Sequence, residues 1–547
     1  MPATVPAGTF LYHGRDAKTI PTGAEWLALD PEHSYLLGSW EETAWMLTYV
    51  AEKPISVGYF DGNSAAKLWD GPLDVQDLLI WGVAEKDNVY RECDRINDLC
   101  AWGAKFGLDG FIRMESSFEL MLCDFTKNVK LISHAEIMPV DTSITTFPPG
   151  PIPGQVGPNP FSVNGVNGIP LADDRASSSS MCTFPLKGSS HSQGGFPRLG
   201  NPPSANLLLS PDQSSPQRPL TPQPNSTSPE RPIQSDVPWP PEKPPRLPGP
   251  WDPPLGWKGS LRKWTSVSME AMLAGMWHNF IPESRIQVDV SRYVTLFDPK
   301  YTSLVDSRRS QTRFTMRAAN ASADDVAAFK KDVEEMLVSS QITSGVDWLS
   351  ITRVLIERFS DRLDHLNFTL AKVENPAIDN ATIAANVRNQ VLVALMPYML
   401  IDAIPPPSSS PAWLNISWAE PIYRQCSSAF MPSLPEDRLT PSERLIQRSI
   451  QDVNSEICRV LTLMWTEAFE IESRDRHSVN DVLGRWRIEI HGLMEWLGWA
   501  VWIRCRPSCK EGTVCGIPVW SIQFARPGID LIPRCINLDD PWNAVLD

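Results

Sequence analysis

From Pro148 to roughly Gly256, proline, serine, glycine and asparagine dominate the sequence, with Pro238-Trp239-Pro240-Pro241-Glu242-Lys243-Pro244-Pro245 near the end of the stretch. A segment of this composition cannot bury enough apolar surface to offset the entropy of ordering it, so it predicts a disordered spacer with local polyproline II. It divides a chain of 547 residues, too long for one core, into two segments that must each supply their own apolar interior. The expected organisation is an α+β domain over residues 1–140, a Pro/Ser/Gly-rich linker over 141–256, an all-helical domain over 257–503 and a cysteine-containing tail over 504–547.

Short apolar runs bounded by turns predict strands in the first segment. Phe10-Leu11-Tyr12, Ile55 to Phe60, Phe118 to Phe125 and Val129 to Ile132 have the length and the aromatic or β-branched content that strands need. Cys93 to Phe106 predicts a helix that stops near Gly107.

After Trp257 the apolar period becomes helical. Ser322 precedes a stripe of Val326, Phe329, Val333, Met336 and Leu337, and Trp348, Ile351, Leu355, Phe359, Leu363 and Leu366 form a second stripe. Thr440-Pro441-Ser442-Glu443 is a capping box with proline at the first helical position, and it leads into Ile446, Ile450, Val453, Ile457, Val460 and Leu461. Val479, Val482, Leu483, Trp486, Ile490, Leu493 and Leu497 make a last stripe. The tryptophans Trp465, Trp486, Trp496, Trp499 and Trp502 follow helical spacing and read as core packing or as an aromatic binding surface.

A formal net charge of -15 argues against general binding to nucleic acid or to anionic membranes. No run approaches the roughly 18–20 apolar residues of a membrane span. The compartment has two readings. Met1-Pro2-Ala3-Thr4-Val5-Pro6 lacks the features of a signal peptide, which points to the cytoplasm if the sequence is complete. Sequons at Asn225, Asn320, Asn367, Asn380 and Asn415, with the late cysteines, point to the secretory pathway or the exterior if a natural start is missing. Cys505, Cys509, Cys515 and Cys535 lack zinc-ribbon spacing and predict disulfides, Cys426 and Cys458 suit a pair, and Cys93, Cys100 and Cys123 read as buried thiols. No metal is expected.

The candidate chemistry lies in the first segment. Glu119 sits within Ser117-Phe118-Glu119-Leu120-Met121-Leu122, where a carboxylate must be paired, protonated or used. Upstream stand Leu11-Tyr12-His13-Gly14 and Asp30-Pro31-Glu32-His33-Ser34-Tyr35. In this order the three motifs resemble the His-Tyr-Glu arrangement of the diphtheria-toxin-like ADP-ribosyltransferases. The resemblance covers about the first quarter of the chain and implies NAD as substrate, for ADP-ribosyl transfer or NAD hydrolysis. It would make Glu119 catalytic, stabilising an oxocarbenium-like transition state. It would place His13 on the ribose, Tyr35 against nicotinamide, and Gly14 where the backbone approaches the nicotinamide amide. Taken whole, the chain also resembles an uncharacterised fungal family with an N-terminal segment of this kind, a proline-rich linker and a helical, cysteine-tailed domain.

The same residues have a bland reading. His13 can bond backbone at a strand end, Tyr35 can pack in a core, and Glu119 can pair with Arg113. The alternative function is therefore a non-enzymatic binding or interaction protein of the secretory pathway, with a degenerate N-terminal fold and a partner held by the helical domain.

Overall fold

The computed structural model describes residues 1–38, 44–66, 71–85, 88–89, 91–115, 117–137, 283–309, 317–318, 320–401, 403–405, 416–432, 434–471, 474–516 and 533–537. The expected linker over 141–256 lies outside the described residues, as do Asn225 and Asn415.

Nine strands form one sheet: β1 (Pro2–Val5), β2 (Phe10–Arg15), β3 (Glu25–Ala28), β4 (Ala44–Ala51), β5 (Ile55–Tyr59), β6 (Gly110–Met114), β7 (Phe118–Leu122), β8 (Val129–Ile137) and β9 (Gln287–Val288). Their order is β8-β4-β2-β3-β7-β6-β5-β1-β9. Neighbours are antiparallel except β5 and β6, which run parallel. A parallel pair needs a crossover, and α2 (Asp74–Ile80) and α3 (Glu92–Gly103) lie in it. Gly107, at φ 70°, ends the short turn after α3 in the left-handed region, where the sequence predicts the stop.

The two faces of the sheet carry different cores. Leu11, Leu27, Tyr49, Val57, Ile112 and Leu120 belong to a cluster drawn almost entirely from the strands themselves. One face of a sheet can be its own core only by curling, so the strands form a half-barrel. The other face presents Phe111 and Met121 to Leu78, Leu79, Ile96 and Leu99 of α2 and α3.

The later sequence returns to this sheet before it builds the helical region. β9 pairs with β1 as its edge neighbour. The Ala318 N–H donates to Asp74 at 2.6 Å, and Arg317 donates to the Ala84 carbonyl at 3.1 Å. Tyr301, just before α4 (Thr302–Arg309), Leu304 of α4 and Phe329 of α5 (Ala323–Val338) complete the second core. Described residues between 283 and 338, within the expected helical domain over 257–503, therefore pack with the sheet.

The helical region proper contains α6 (Trp348–Ala371), α7 (Asn380–Leu395), α8 (Glu420–Ser428), α9 (Pro441–Ala468) and α10 (Arg476–Leu497). The predicted stripes of α6, α9 and α10 share one core. After α10, β10 (Thr513–Gly516) and β11 (Arg534–Asn537) pair in a small sheet braced by Cys505–Cys515 and Cys509–Cys535. Cys426–Cys458 joins α8 to α9. Cys100 and Cys123 are not thiols: they bridge α3 to the end of β7, and Cys93 is also disulfide-bonded. No described helix is long and apolar enough to cross a membrane.

The capping box anchors α9. The Glu443 N–H donates to Thr440 Oγ1 at 3.0 Å, and the Thr440 N–H donates to Glu443 Oε2 at 2.8 Å. Glu443 is fully buried and also accepts from the Ser344 N–H at 3.0 Å and from Trp348 Nε1 at 3.1 Å, so one carboxylate fixes the starts of both α6 and α9. Burial pushes this carboxyl up, but the bonds from Ser344, the Thr440 N–H and Trp348 prevail and hold it below its ordinary 4.5. A carboxyl with a depressed folded-state pKa stabilises above its unfolded value and loses that contribution as pH falls through the folded one. Urea unfolding should therefore show stability falling as pH drops below about 4.5, while Glu443→Gln is less stable at pH 7 by about 1–3 kcal/mol and less sensitive to acid.

Candidate functional site

Glu119 is placed by register. It stands opposite Arg113 on β6 and opposite Ala28 on β3, so all three residues share one sheet face. That face is covered by α1 (Pro31–Gly38), α2 and α3, and only 3% of Glu119 is exposed. Arg113, at 1% exposure, donates from Nε to Glu119 and from Nη2 to Glu92, and Nη1 reaches Gln76 Oε1 at 3.3 Å. Glu92 in turn accepts from Arg95, whose Nε donates to Asp77 at 2.9 Å. Burial pulls the Arg113 guanidinium pKa down, but Glu119, Glu92 and Glu115 outweigh it and keep the group charged. Glu119 is thus held in a chain of buried ion pairs that ties β6 and β7 to α2 and α3.

His13 points the other way. Tyr12, its neighbour on β2, is opposite Ala28, so Tyr12 shares the Glu119 face and His13 faces the half-barrel interior. Its ring lies 5.9 Å from that of Phe125. Nδ1 is 2.6 Å from the Trp26 carbonyl oxygen, and since a carbonyl only accepts, Nδ1 carries the proton. Nε2 lies 3.7 Å from Glu25 Oε2. Burial is the largest influence on this imidazole and lowers its pKa to about 4, although the bond to Trp26 favours the charged form. His13 and Glu119 therefore do not converge on one cleft, and the expected ribose contact has no place beside Glu119.

Gly14 and Tyr35 do lie on the Glu119 side, through α1. A Cβ on Gly14 would stand 2.1 Å from the Ser34 carbonyl oxygen and 2.9 Å from Gly38 Cα, so the space expected for nicotinamide is filled by the helix. Ser34 Oγ donates to the Tyr12 carbonyl at 2.8 Å and fixes the same contact. Tyr35 is half-buried. The residue sequence reasoning missed is His33, at 2% exposure, with Nε2 3.7 Å from Glu119 Oε2. Its position two residues before Tyr35 on a helix facing a carboxylate-bearing strand was the available signal. His33, Glu115 and Glu119 bring potential ligand atoms within 4.8 Å of one another and are the described side chains in this region that could hold a metal ion. Arg113 already neutralises Glu119 there, and no metal role is assigned.

A separate cleft of about 650 Å³ opens where the returning chain crosses between sheet and helices. Phe60, Trp102 and Phe111 line its sheet side, Tyr293, Leu296 and Phe297 one flank, and Trp348, Ile356 and Val453 the helical side. Trp499, one of the tryptophans singled out by its spacing, also reaches it, whereas Trp486 is buried in the helical core.

Over residues 1–44 and 38–175 the chain matches the family described as the YPL277C N-terminal domain. It is 34% identical over 186 residues to the uncharacterised protein YPL277C of Saccharomyces cerevisiae, covering 25% of this chain and 38% of that protein. It is likewise 34% identical over 185 residues to the uncharacterised protein YOR389W of the same yeast, covering 25% of this chain and 29% of that protein. The chain thus spans less than two fifths of the length of either curated relative. No solved structure matches it. These likenesses connect the N-terminal region to an uncharacterised fungal family, and neither relative's description names an activity.

Two outcomes follow from this geometry. In NMR titration the His13 imidazole should remain neutral down to about pH 4 rather than titrate near 6.5, and since its folded-state pKa is depressed, its stabilising contribution is fully present above 6.5 and is lost as pH falls from there to about 4. Arg113→Met should cost about 3–5 kcal/mol in urea unfolding, because it removes the guanidinium paired with the buried Glu119.

Proposed function

We propose that the chain is a non-enzymatic binding protein whose N-terminal domain retains the His-Tyr-Glu residues in structural use. The observation that carries this reading is the placement of Glu119: buried, bonded by Arg113, and on the opposite sheet face from His13. A carboxylate meant to stabilise a developing oxocarbenium ion must reach the sugar, and one surrounded by Arg113, His33 and α1 does not. Four described disulfides support an oxidising setting, in the secretory pathway or outside the cell, where such bonds form and persist.

The binding site in this reading is the cleft between the sheet and the helices. Pockets of this size with largely apolar walls and a few polar groups are the usual form of small-molecule sites. A partner protein gripped by the helical region is less well supported, because its stripes are spent on the shared core of α6 to α10.

The test is release of nicotinamide from NAD by the full chain beside Glu119→Gln. Background release from both, with Glu119→Gln unfolding at lower urea, is the expected outcome. Release by the full chain that disappears in Glu119→Gln would instead establish ADP-ribosyl transfer or NAD hydrolysis.

A further inference from the structure

We infer that the cleft between the sheet and the helices binds a neutral, flat, polycyclic apolar molecule of the sterol class. This inference rests on reading that cleft as the binding site. Three observations select the ligand chemistry.

The first is the character of the walls. Phe60, Trp102 and Phe111 form a continuous aromatic surface, with Phe60 and Phe111 stacked at 5.9 Å and Trp102 lying 6.2 Å from Phe111. Trp348 and Trp499 line the opposite side, and Trp499 is itself stacked on Trp502 at 5.2 Å. Broad, rigid rings facing across a gap suit a flat partner, since a planar molecule can meet both walls at once while a flexible chain would have to be ordered between them.

The second is charge. Among the described residues that line the cleft, Asp61 is the only charged side chain, and it is exposed at the rim. The Met1 amine also reaches the lining, but it donates to the Tyr59 carbonyl and burial lowers its pKa to about 6. A pyrophosphate or a fatty-acid carboxylate entering here would therefore meet a carboxylate and no side-chain cation, whereas a neutral molecule has no such cost. NAD is unsuited to this site on the same ground.

The third is a small set of hydroxyl groups. Tyr293, Thr295, Thr352 and Ser449 reach the lining. Thr352 Oγ1 donates to the Trp348 carbonyl at 2.8 Å and Ser449 Oγ to the Leu445 carbonyl at 2.8 Å, so each hydroxyl has spent its proton and keeps only acceptor capacity. Burial pushes the Tyr293 phenol up to about 12, which keeps it a donor over the working pH range. One neutral hydroxyl on an otherwise apolar ligand matches such a site, as acceptor from Tyr293 or as donor to Thr352 or Ser449.

The experiment uses the full, oxidised chain and a fluorescent sterol, with energy transfer from the protein's tryptophans as the signal. Saturable transfer that unlabelled cholesterol competes away, and that neither palmitate nor NAD displaces, is the expected result. Val453→Trp, which adds bulk to the helical wall, should weaken binding by about tenfold or more. Leu349→Trp, at an exposed rim position, makes the same test should Val453→Trp fail to fold, and thermal melts of both variants identify that case. Absence of saturable sterol binding overturns the inference, as does equal binding by folded forms of both variants. Tighter binding of palmitate overturns the ligand class while leaving the cleft as the site. A chain that elutes as a dimer and is made monomeric by Leu349→Trp would place a second copy in the cleft, which also overturns it. The nicotinamide assay reads the absence of enzymatic activity separately, so failure of one reading is not mistaken for failure of the other.

Discussion

The buried guanidinium of Arg113 is the constraint on which the N-terminal half of this protein depends. It rises from the middle of the sheet, meets Glu119 on the next strand and Glu92 on α3, and through Glu92 and Arg95 reaches Asp77 on α2. Each of these groups would be costly to bury alone, and the arrangement is tolerable only because every charge meets an opposite one in a shared network. Such a network adds little net stability over an apolar core but penalises any other register of β6 against β7, since a slip of one residue would put Arg113 and Glu119 on opposite faces. The Cys100–Cys123 disulfide closes the same unit covalently, from α3 to the end of β7. Glu119 is in this sense a fold-specifying residue.

What the sequence made legible was local. The capping box at Thr440 and Glu443, the apolar stripes of α6, α9 and α10, and the turn at Gly107 all follow from spacing within one element, and each appears in the structure. The pairing of Glu119 with Arg113 could also be read, because six residues across a hairpin bring them opposite. His13 and Glu119 are different. Alternation along a strand shows that His13 and Tyr12 face opposite sides, but which side faces Glu119 depends on two successive registers, β2 to β3 and β3 to β7. Neither register is encoded in any short motif, so a His, a Tyr and a Glu in suggestive order did not reveal that they separate. Gly14 misled for a related reason. Its missing side chain does permit close approach, and what approaches is α1.

The returning segment from 283 to 338 was hidden by distance. Gln287 and Val288 make a two-residue strand too short for any periodic signal, and they pair with Ala3 and Thr4 at the start of the sequence. The segment then binds the start of α9: the Tyr293 N–H donates to Ser442 Oγ at 3.0 Å, and Thr440 Oγ1 donates to the Ser291 carbonyl at 2.7 Å. A piece of chain hydrogen-bonded to the sheet at one end and to a helix N-terminus at the other holds the two layers apart at a set distance. The cleft opens beside these anchors, with Tyr293, Leu296 and Phe297 of the same segment along its flank.

This connectivity also decides what can be studied in isolation. A fragment ending near residue 140 would lose β9 from the edge beside β1, and would lose Tyr301, Leu304 and Phe329 from the core over α2 and α3. Removing three large buried side chains forfeits several kcal/mol of packing, comparable to the whole stability of an ordinary domain. Asp74, Leu78 and Leu79 would then face water, and the elements that hold Glu92 and Asp77 would be the first to loosen. Glu119 freed by that loosening would be more accessible than in the intact chain. NAD chemistry measured on such a fragment would describe a carboxylate released from Arg113, whereas the 547-residue chain keeps Glu119 bonded to it.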